Sequence, residues 1–255
     1  MHTDRLRSCV QDLRLKYPAE KRKDEEEMNS LNIYFDHTLL KPDAKKSDII
    51  KLCEEAKKYS FYSVCVNSCY TGLAASSLKD SSVKVTSVVG FPLGAMAPDA
   101  KAYEADAACS AGADEIDMVI NIGALKDGDT EYVTDDIAAV SSICADNDAV
   151  LKVIIETCLL TDDEIVSACR AAERAGADFV KTSTGFASPP EGKSSGATVR
   201  DVKLMRSAVS DNIKIKASGG IHSLAQAHSL IEAGADRLGA SASVKIMEEY
   251  LRYLT

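Results

Sequence analysis

The sequence predicts a single-domain (β/α)8 TIM barrel (residues 31–255) preceded by an N-terminal extension (residues 1–30), and three observations carry that prediction. Short apolar runs alternate strictly with Ala-rich amphipathic stretches, which is the pattern of a parallel α/β fold. Eight such pairs follow Leu31, enough to close a barrel, and no G-x-G-x-x-G follows the first strand as an open dinucleotide-binding sheet would require. The phrase Ala111-Gly-Ala-Asp recurs at Ala175 and Ala233, at separations of 64 and 58 residues (111 to 175, 175 to 233). Each copy ends an amphipathic stretch at a glycine and enters an apolar run. Two βα units occupy roughly that length.

Taken in order, the strands are predicted at Ile33–Asp36, Ser63–Val66, Val83–Val88, Glu115–Ile120, Leu151–Ile155, Phe179–Lys181, Lys214–Ala217 and Arg237–Leu238. Helices are predicted near 47–59, 68–78, 98–111, 131–146, 161–174, 198–209, 223–232 and 241–252. Ser47, Thr161 and Ser223 stand where N-caps belong, and Thr161 with Glu164 has the spacing of a capping box.

The bulk of the chain narrows the function classes. It has 255 residues, 45% of them hydrophobic, and a net charge of −9, which disfavours nucleic acid or an anionic membrane as partner. A small phosphorylated substrate remains open, because backbone amides can build a local anion site. The cysteines at 9, 53, 65, 69, 109, 144, 158 and 169 form no C-x-x-C pair, so reduced thiols in the cytoplasm are expected. The histidines at 2, 37, 222 and 228 lack ligand spacing, and no metal is expected. Residues 1–30 hold Arg5, Arg7 and Arg14 but also Asp4, Asp12 and an acidic run from Asp24 to Glu27. A solvated helical or flexible extension fits them better than a targeting peptide, which is poor in acids.

Chemistry in this fold gathers where strands run into βα loops. The polar residues there are Asp36, Thr38 and Lys41; Cys65 and Asn67; Asp117 and Asn121; Lys152 and Glu156; Lys181 to Thr184; Lys216 and Ser218; and Ser241. Lys181 and Lys216 end apolar runs, where a lysine is costly unless used. Two lysines in one pocket repel, and that repulsion is expected to lower the pKa of each from about 10.4. A free amine forms an imine with a carbonyl, so a Schiff-base enzyme is expected. Strand alternation lets Asp117 and Lys216 both point inward; a buried ion pair that only fixes register is the bland alternative. Ser218-Gly-Gly and Gly239-Ala-Ser, both opening helices, form a candidate phosphate site. Cys65 reads as a core filler, and Gly90-Phe-Pro-Leu-Gly94 as a rigid loop on one side of the site.

Seven segments together resemble deoxyribose-phosphate aldolases: Asp36-His-Thr-Leu-Leu-Lys-Pro, Val64-Cys-Val-Asn, Val89-Gly-Phe-Pro-Leu-Gly-Ala, Glu115-Ile-Asp-Met-Val-Ile-Asn, Leu151-Lys-Val-Ile-Ile-Glu-Thr, Lys181-Thr-Ser-Thr-Gly-Phe and Lys216-Ala-Ser-Gly-Gly-Ile. They run in order from residue 31 to about 247. The resemblance implies a cofactor-free class I aldolase that cleaves 2-deoxy-D-ribose 5-phosphate to D-glyceraldehyde 3-phosphate and acetaldehyde. Carried over by position, Lys181 would form the imine, Lys216 would be the neighbouring ammonium and Asp117 would shuttle protons. Gly185, Gly219, Gly220, Gly239 and Ser241 would bind substrate, with Lys152, Cys65, Asp36 and Thr182 in support. A homodimer or homotetramer is the expected assembly. Two departures stand out: His222 replaces the family's usual Arg after Ser-Gly-Gly-Ile, and the loop 186–196 is longer than the common form. Lys193 on that loop would either reach the phosphate as a lid or sit on a mobile surface loop.

Overall fold

The computed structural model of the protein describes residues 31–192 and 194–254, with the side chains of residues 253 and 254 left out. The expectations for residues 1–30 and Lys193 therefore lie outside the described residues. Eight parallel strands close into one barrel in sequential order. They are β1 (Phe35–Leu39), β2 (Ser63–Val66), β3 (Lys84–Val89), β4 (Glu115–Val119), β5 (Val150–Ile154), β6 (Phe179–Lys181), β7 (Lys214–Ser218) and β8 (Arg237–Ala240). Nine α-helices are seen among the described residues. They are α1 (Lys46–Tyr59), α2 (Thr71–Leu78), α3 (Pro98–Ser110), α4 (Ile122–Lys126), α5 (Thr130–Asp146), α6 (Asp162–Arg174), α7 (Val199–Ala208), α8 (Leu224–Glu232) and α9 (Ser243–Leu254).

The repeated phrase is a helix-to-strand joint. Gly112, Gly176 and Gly234 take φ of 99, 82 and 111°, and each turns the chain off the end of its helix. The aspartate two residues on then hooks the preceding strand. Asp114, Asp178 and Asp236 each accept a backbone N–H through Oδ2, from Val85, Leu151 and Ile215, at 2.8 Å. Their own N–H groups return to the carbonyls of the same three residues. Every even-numbered strand from β4 is thereby set in register against its neighbour by one sequence motif.

Alternation along the strands divides the interior in two. Ile116, Met118, Val153, Val180 and Ile215 face outward and pack against Val133, Ile137, Ile165 and Val202 of the helices. Burying side chains of this size contributes about 1.5–3 kcal/mol each. The alternate positions, Asp117, Lys152, Lys181 and Lys216, face the barrel axis and are buried there. Thr161 and Glu164 form the predicted capping box, with Glu164 Oε2 accepting from Thr161 N at 2.7 Å, and Ser223 caps α8. Among the described residues no helix is long and apolar enough to cross a membrane.

Four local predictions are corrected. Residues Leu31–Tyr34 form a 3-10 turn, so β1 starts at Phe35 and carries His37 and Thr38 within it. Ser47 lies inside α1, whose Lys45 N–H is capped instead by Asp48 Oδ2 at 2.8 Å. The stretch 68–78 divides into a 3-10 turn and α2. Strand β8 runs on to Ala240, which takes Gly239 out of the following loop.

Candidate active site

Inside the barrel, seven charged side chains from six strands share one network. Asp117 on β4 is its centre: Oδ2 accepts from Lys181 Nζ at 2.7 Å and from Lys216 Nζ at 2.7 Å, while Oδ1 accepts from Lys152 Nζ at 2.9 Å. The two amines of interest thus touch the same oxygen and cannot be farther apart than twice that distance. Lys216 also pairs with Asp36 Oδ2. Lys152 reaches Glu115 Oε2 at 2.7 Å. Arg237 closes the floor, donating to Asp36 Oδ1 at 2.8 Å and Glu115 Oε2 at 3.2 Å. Its guanidinium lies 3.5 Å from the centroid of the Tyr62 ring, so the cation is also covered by an aromatic face.

Four cations therefore meet three carboxylates, a positive excess of one. Burial pushes Asp36 up, but Lys216, Arg237 and Lys152 together outweigh it and hold the carboxyl well below the usual range. Asp117 behaves alike, with Lys152, Lys181 and Lys216 overcoming its burial. The expectation that repulsion lowers both lysines fails at Lys216. Burial alone would push that amine down, yet Asp117 and Asp36 more than compensate and hold it well above the ordinary lysine value. Lys216 is wholly buried between two carboxylates, whereas Lys181 pairs with one and is 3% exposed. The pocket therefore distinguishes its two amines by partner count and depth, which residue type and spacing alone could not.

The remaining predicted residues sort by what their side chains do. Thr182 is buried, its Oγ1 accepting from Ser218 N at 3.0 Å and donating to Ser218 O at 3.2 Å, so it straps β6 to β7. Cys65 packs with Leu40, Val88 and Phe91 in a small apolar cluster at the mouth. Burial, aided by the charge of Asp117, pushes its thiol up to about 11, so it stays neutral. Asn121 caps α4 through Ala124 N at 3.0 Å, and Asn67 donates to Leu40 O at 3.3 Å. These two serve local backbone.

One half of the predicted anion site, Gly219 and Gly220, lies in a seam of glycines between the loops after β6 and β7. A Cβ on Gly196 would lie 2.2 Å from Gly219 O, so only glycine permits this approach. Gly185 and Gly219 pack backbone to backbone beside it, and Gly220 is exposed at the rim, as is Ser241 across the mouth. Ala197 N–H, tied to Ser218 O at 3.0 Å, fastens the long loop to this seam. Gly239 does something else: a Cβ there would stand 3.2 Å from Lys216 Cε, so its lack of a side chain makes room for that lysine. His222 is exposed, its backbone N–H bonded to Gln226 Oε1 at 2.9 Å. Sequence reasoning passed over Arg237 and gave Glu115 no role. Both open their strands at inward parity, which was the available signal.

Known proteins match this arrangement across nearly its whole length. A model of the DeoC/LacD family of aldolases fits residues 31–248. A protein of Finegoldia magna named deoxyribose-phosphate aldolase is 59% identical over 218 residues, covering 86% of this chain and 99% of that protein. A solved structure titled "QR15, an Aldolase" superposes with a TM-score of 0.82 at 40% identity, over 89% of this chain and 98% of that one. A deoxyribose phosphate aldolase from Aeropyrum pernix, described as a unique tetrameric structure, gives a TM-score of 0.80 at 33% identity, over 88% and 92%.

Proposed function

We infer the chemistry from one premise: the chain belongs to the DeoC/LacD family of aldolases. The enzyme is a lyase that reversibly cleaves 2-deoxy-D-ribose 5-phosphate to D-glyceraldehyde 3-phosphate and acetaldehyde. Its relatives' shared name supports that substrate. The observation that carries the mechanism is the single Asp117 oxygen touching both Lys181 and Lys216.

Lys181 is the nucleophile, because it has one carboxylate partner and an edge toward solvent. Its free amine adds to the C1 aldehyde of the open-chain sugar, and loss of water leaves a protonated imine. A base then takes the proton of the C3 hydroxyl. The C2–C3 bond breaks, its electron pair moves toward the imine nitrogen, and glyceraldehyde 3-phosphate departs from the resulting enamine. Protonation of the enamine carbon and hydrolysis of the imine release acetaldehyde and restore the amine. Asp117 relays the protons. At rest three cations hold it anionic and weakly basic. Lys216 keeps its own proton throughout and fixes Asp117 in place.

The 5-phosphate sits on the amides of Gly185, Gly219 and Gly220, with Ser241 at the opposite rim. Holding that end orients the reacting carbonyl over Lys181. Asp36, Lys152, Cys65, Thr182 and Gly239 shape the pocket below. The enzyme works as a homodimer or homotetramer, for which the tetrameric relative is the support. Cysteines spaced without a C-x-x-C pair support a reducing, cytoplasmic setting.

The test is borohydride reduction of the enzyme with acetaldehyde, followed by peptide mass mapping. A two-carbon adduct is expected on the peptide containing Lys181. An adduct on Lys216, or none, would overturn these roles.

A further inference from the structure

The carboxyl end of β5 holds a buried acid that the reaction scheme leaves unused. Glu156 has φ 59° and ψ 64°, a left-handed conformation uncommon for a side-chain-bearing residue. Ladder bonds on both sides hold it there. Ile155 N donates to Lys181 O at 3.0 Å and Thr157 N to Thr182 O at 2.9 Å. The chain thus advances two residues on the β5 side for one on β6, which makes Glu156 the extra residue of a bulge. Bulges near active sites commonly re-aim a side chain, and strain of this kind persists where surrounding contacts over-determine it.

The side chain so aimed is 1% exposed and grips the turn after the nucleophile. Thr184 N–H donates to Glu156 Oε2 at 3.1 Å, and Thr184 Oγ1 donates to the same oxygen. Thr184 Oγ1 in turn accepts from Phe186 N at 3.0 Å. The Phe186 ring meets Phe91 edge-on, with centroids 5.3 Å apart. Phe91 belongs to the loop after β3 and leans on the Leu40, Cys65 and Val88 cluster. Four contacts therefore run from the bulge through Thr184 and Phe186 to the far side of the barrel mouth, and Gly185 lies within that span. Burial raises the Glu156 carboxyl while its bonds to Thr184 oppose the rise, in keeping with a group enclosed by the protein.

We propose that Glu156 is a positioning residue for the phosphorylated substrate: it fixes the Thr184–Phe186 turn so that Gly185 faces the anion cup and Phe186 closes on Phe91 over the mouth. The proposal rests on the reading of Lys181 as the imine-forming residue and of the glycine seam as the phosphate site. It touches the phosphorylated end of the substrate and leaves the amine chemistry of Lys181 alone.

The experiment compares intact wild-type enzyme with Glu156→Ala, Glu156→Gln and Thr184→Val in two measurements. Steady-state cleavage gives kcat and KM for 2-deoxyribose 5-phosphate, and borohydride trapping with acetaldehyde alone reports imine formation at Lys181. Glu156→Ala and Thr184→Val should raise KM by about tenfold, equivalent to 1.4 kcal/mol, with trapping unchanged. Glu156→Gln, whose amide oxygen still accepts from Thr184, should restore most of the loss. Should Glu156→Ala fail to fold, Thr184→Val carries the same comparison. Native KM in the variants, no rescue by Gln, or trapping that falls in step with cleavage would each overturn the proposal. Absence of trapping in the wild type would instead sink the Lys181 reading, and KM would still judge Glu156.

Discussion

Among the lysines wholly buried in ion pairs, Lys216 and Lys101 have surroundings that drive them in opposite directions. Lys216, inside the barrel, touches Asp36 and Asp117 and is held above the ordinary lysine value. Lys101, on α3 outside the barrel, touches Asp136 at 2.5 Å and Val119 O at 2.9 Å. There burial outweighs the single carboxylate: Lys101 is pushed down and Asp136 is pushed up. The count of opposite charges within reach therefore decides whether burial or attraction wins. One pair is a local staple of α3 and α5 to the end of β4. The other is a node of a network spanning the barrel.

The comparison can be broken at its functional end first. Lys216→Met removes the ammonium that fixes the relay Asp117 and should lower turnover by roughly 10²–10⁴-fold, the usual worth of the placed proton-transfer group it supports, and leave the circular dichroism spectrum intact. Near-native turnover at pH 7 would show that the node is structural only. The staple should answer differently. Asp136→Ala leaves Lys101 buried without its carboxylate and should cost about 3–5 kcal/mol in urea unfolding, whereas Lys101→Met with Asp136→Leu should be far milder. A double variant as unstable as the single one would show that the Lys101 bond to Val119 O, and not the charge pair, holds this corner.

The smallest effect is on acid stability. Asp36 and Asp117 are depressed, so their contribution is present above the ordinary aspartate value of 3.8 and is lost as pH falls toward their folded values. Asp136 is raised, so its contribution is present below 3.8 and is lost as pH rises through its folded value. Between pH 5 and 3, Asp36→Asn should flatten the fall in Tm and Asp136→Asn should steepen it. Each change is about 2–4 °C for 1 kcal/mol in a chain of this size. Equal slopes in both variants would erase the distinction between node and staple.

How far the site was readable follows from parity. Asp117, Lys152, Lys181 and Lys216 could be found because each stands on the inward step of a short strand. Arg237 obeys the same rule and was passed over because it opens a strand whose end was misplaced. Asp36 was placed at the end of its strand and not near its start, because a 3-10 turn displaced the start of β1. The Glu156 bulge has no local signature, since it exists only in the pairing of β5 with β6.

By itself the sequence determined the alternation of strand and helix, the three glycine–aspartate joints and the set of charged residues facing the axis, because each depends on neighbours close along the chain. Tertiary structure alone decided which carboxylate meets which cation, and hence which of the two amines lies between two carboxylates and which meets one. That choice depends on distances between strands far apart in sequence and on how many opposite charges barrel closure brings within a few ångströms.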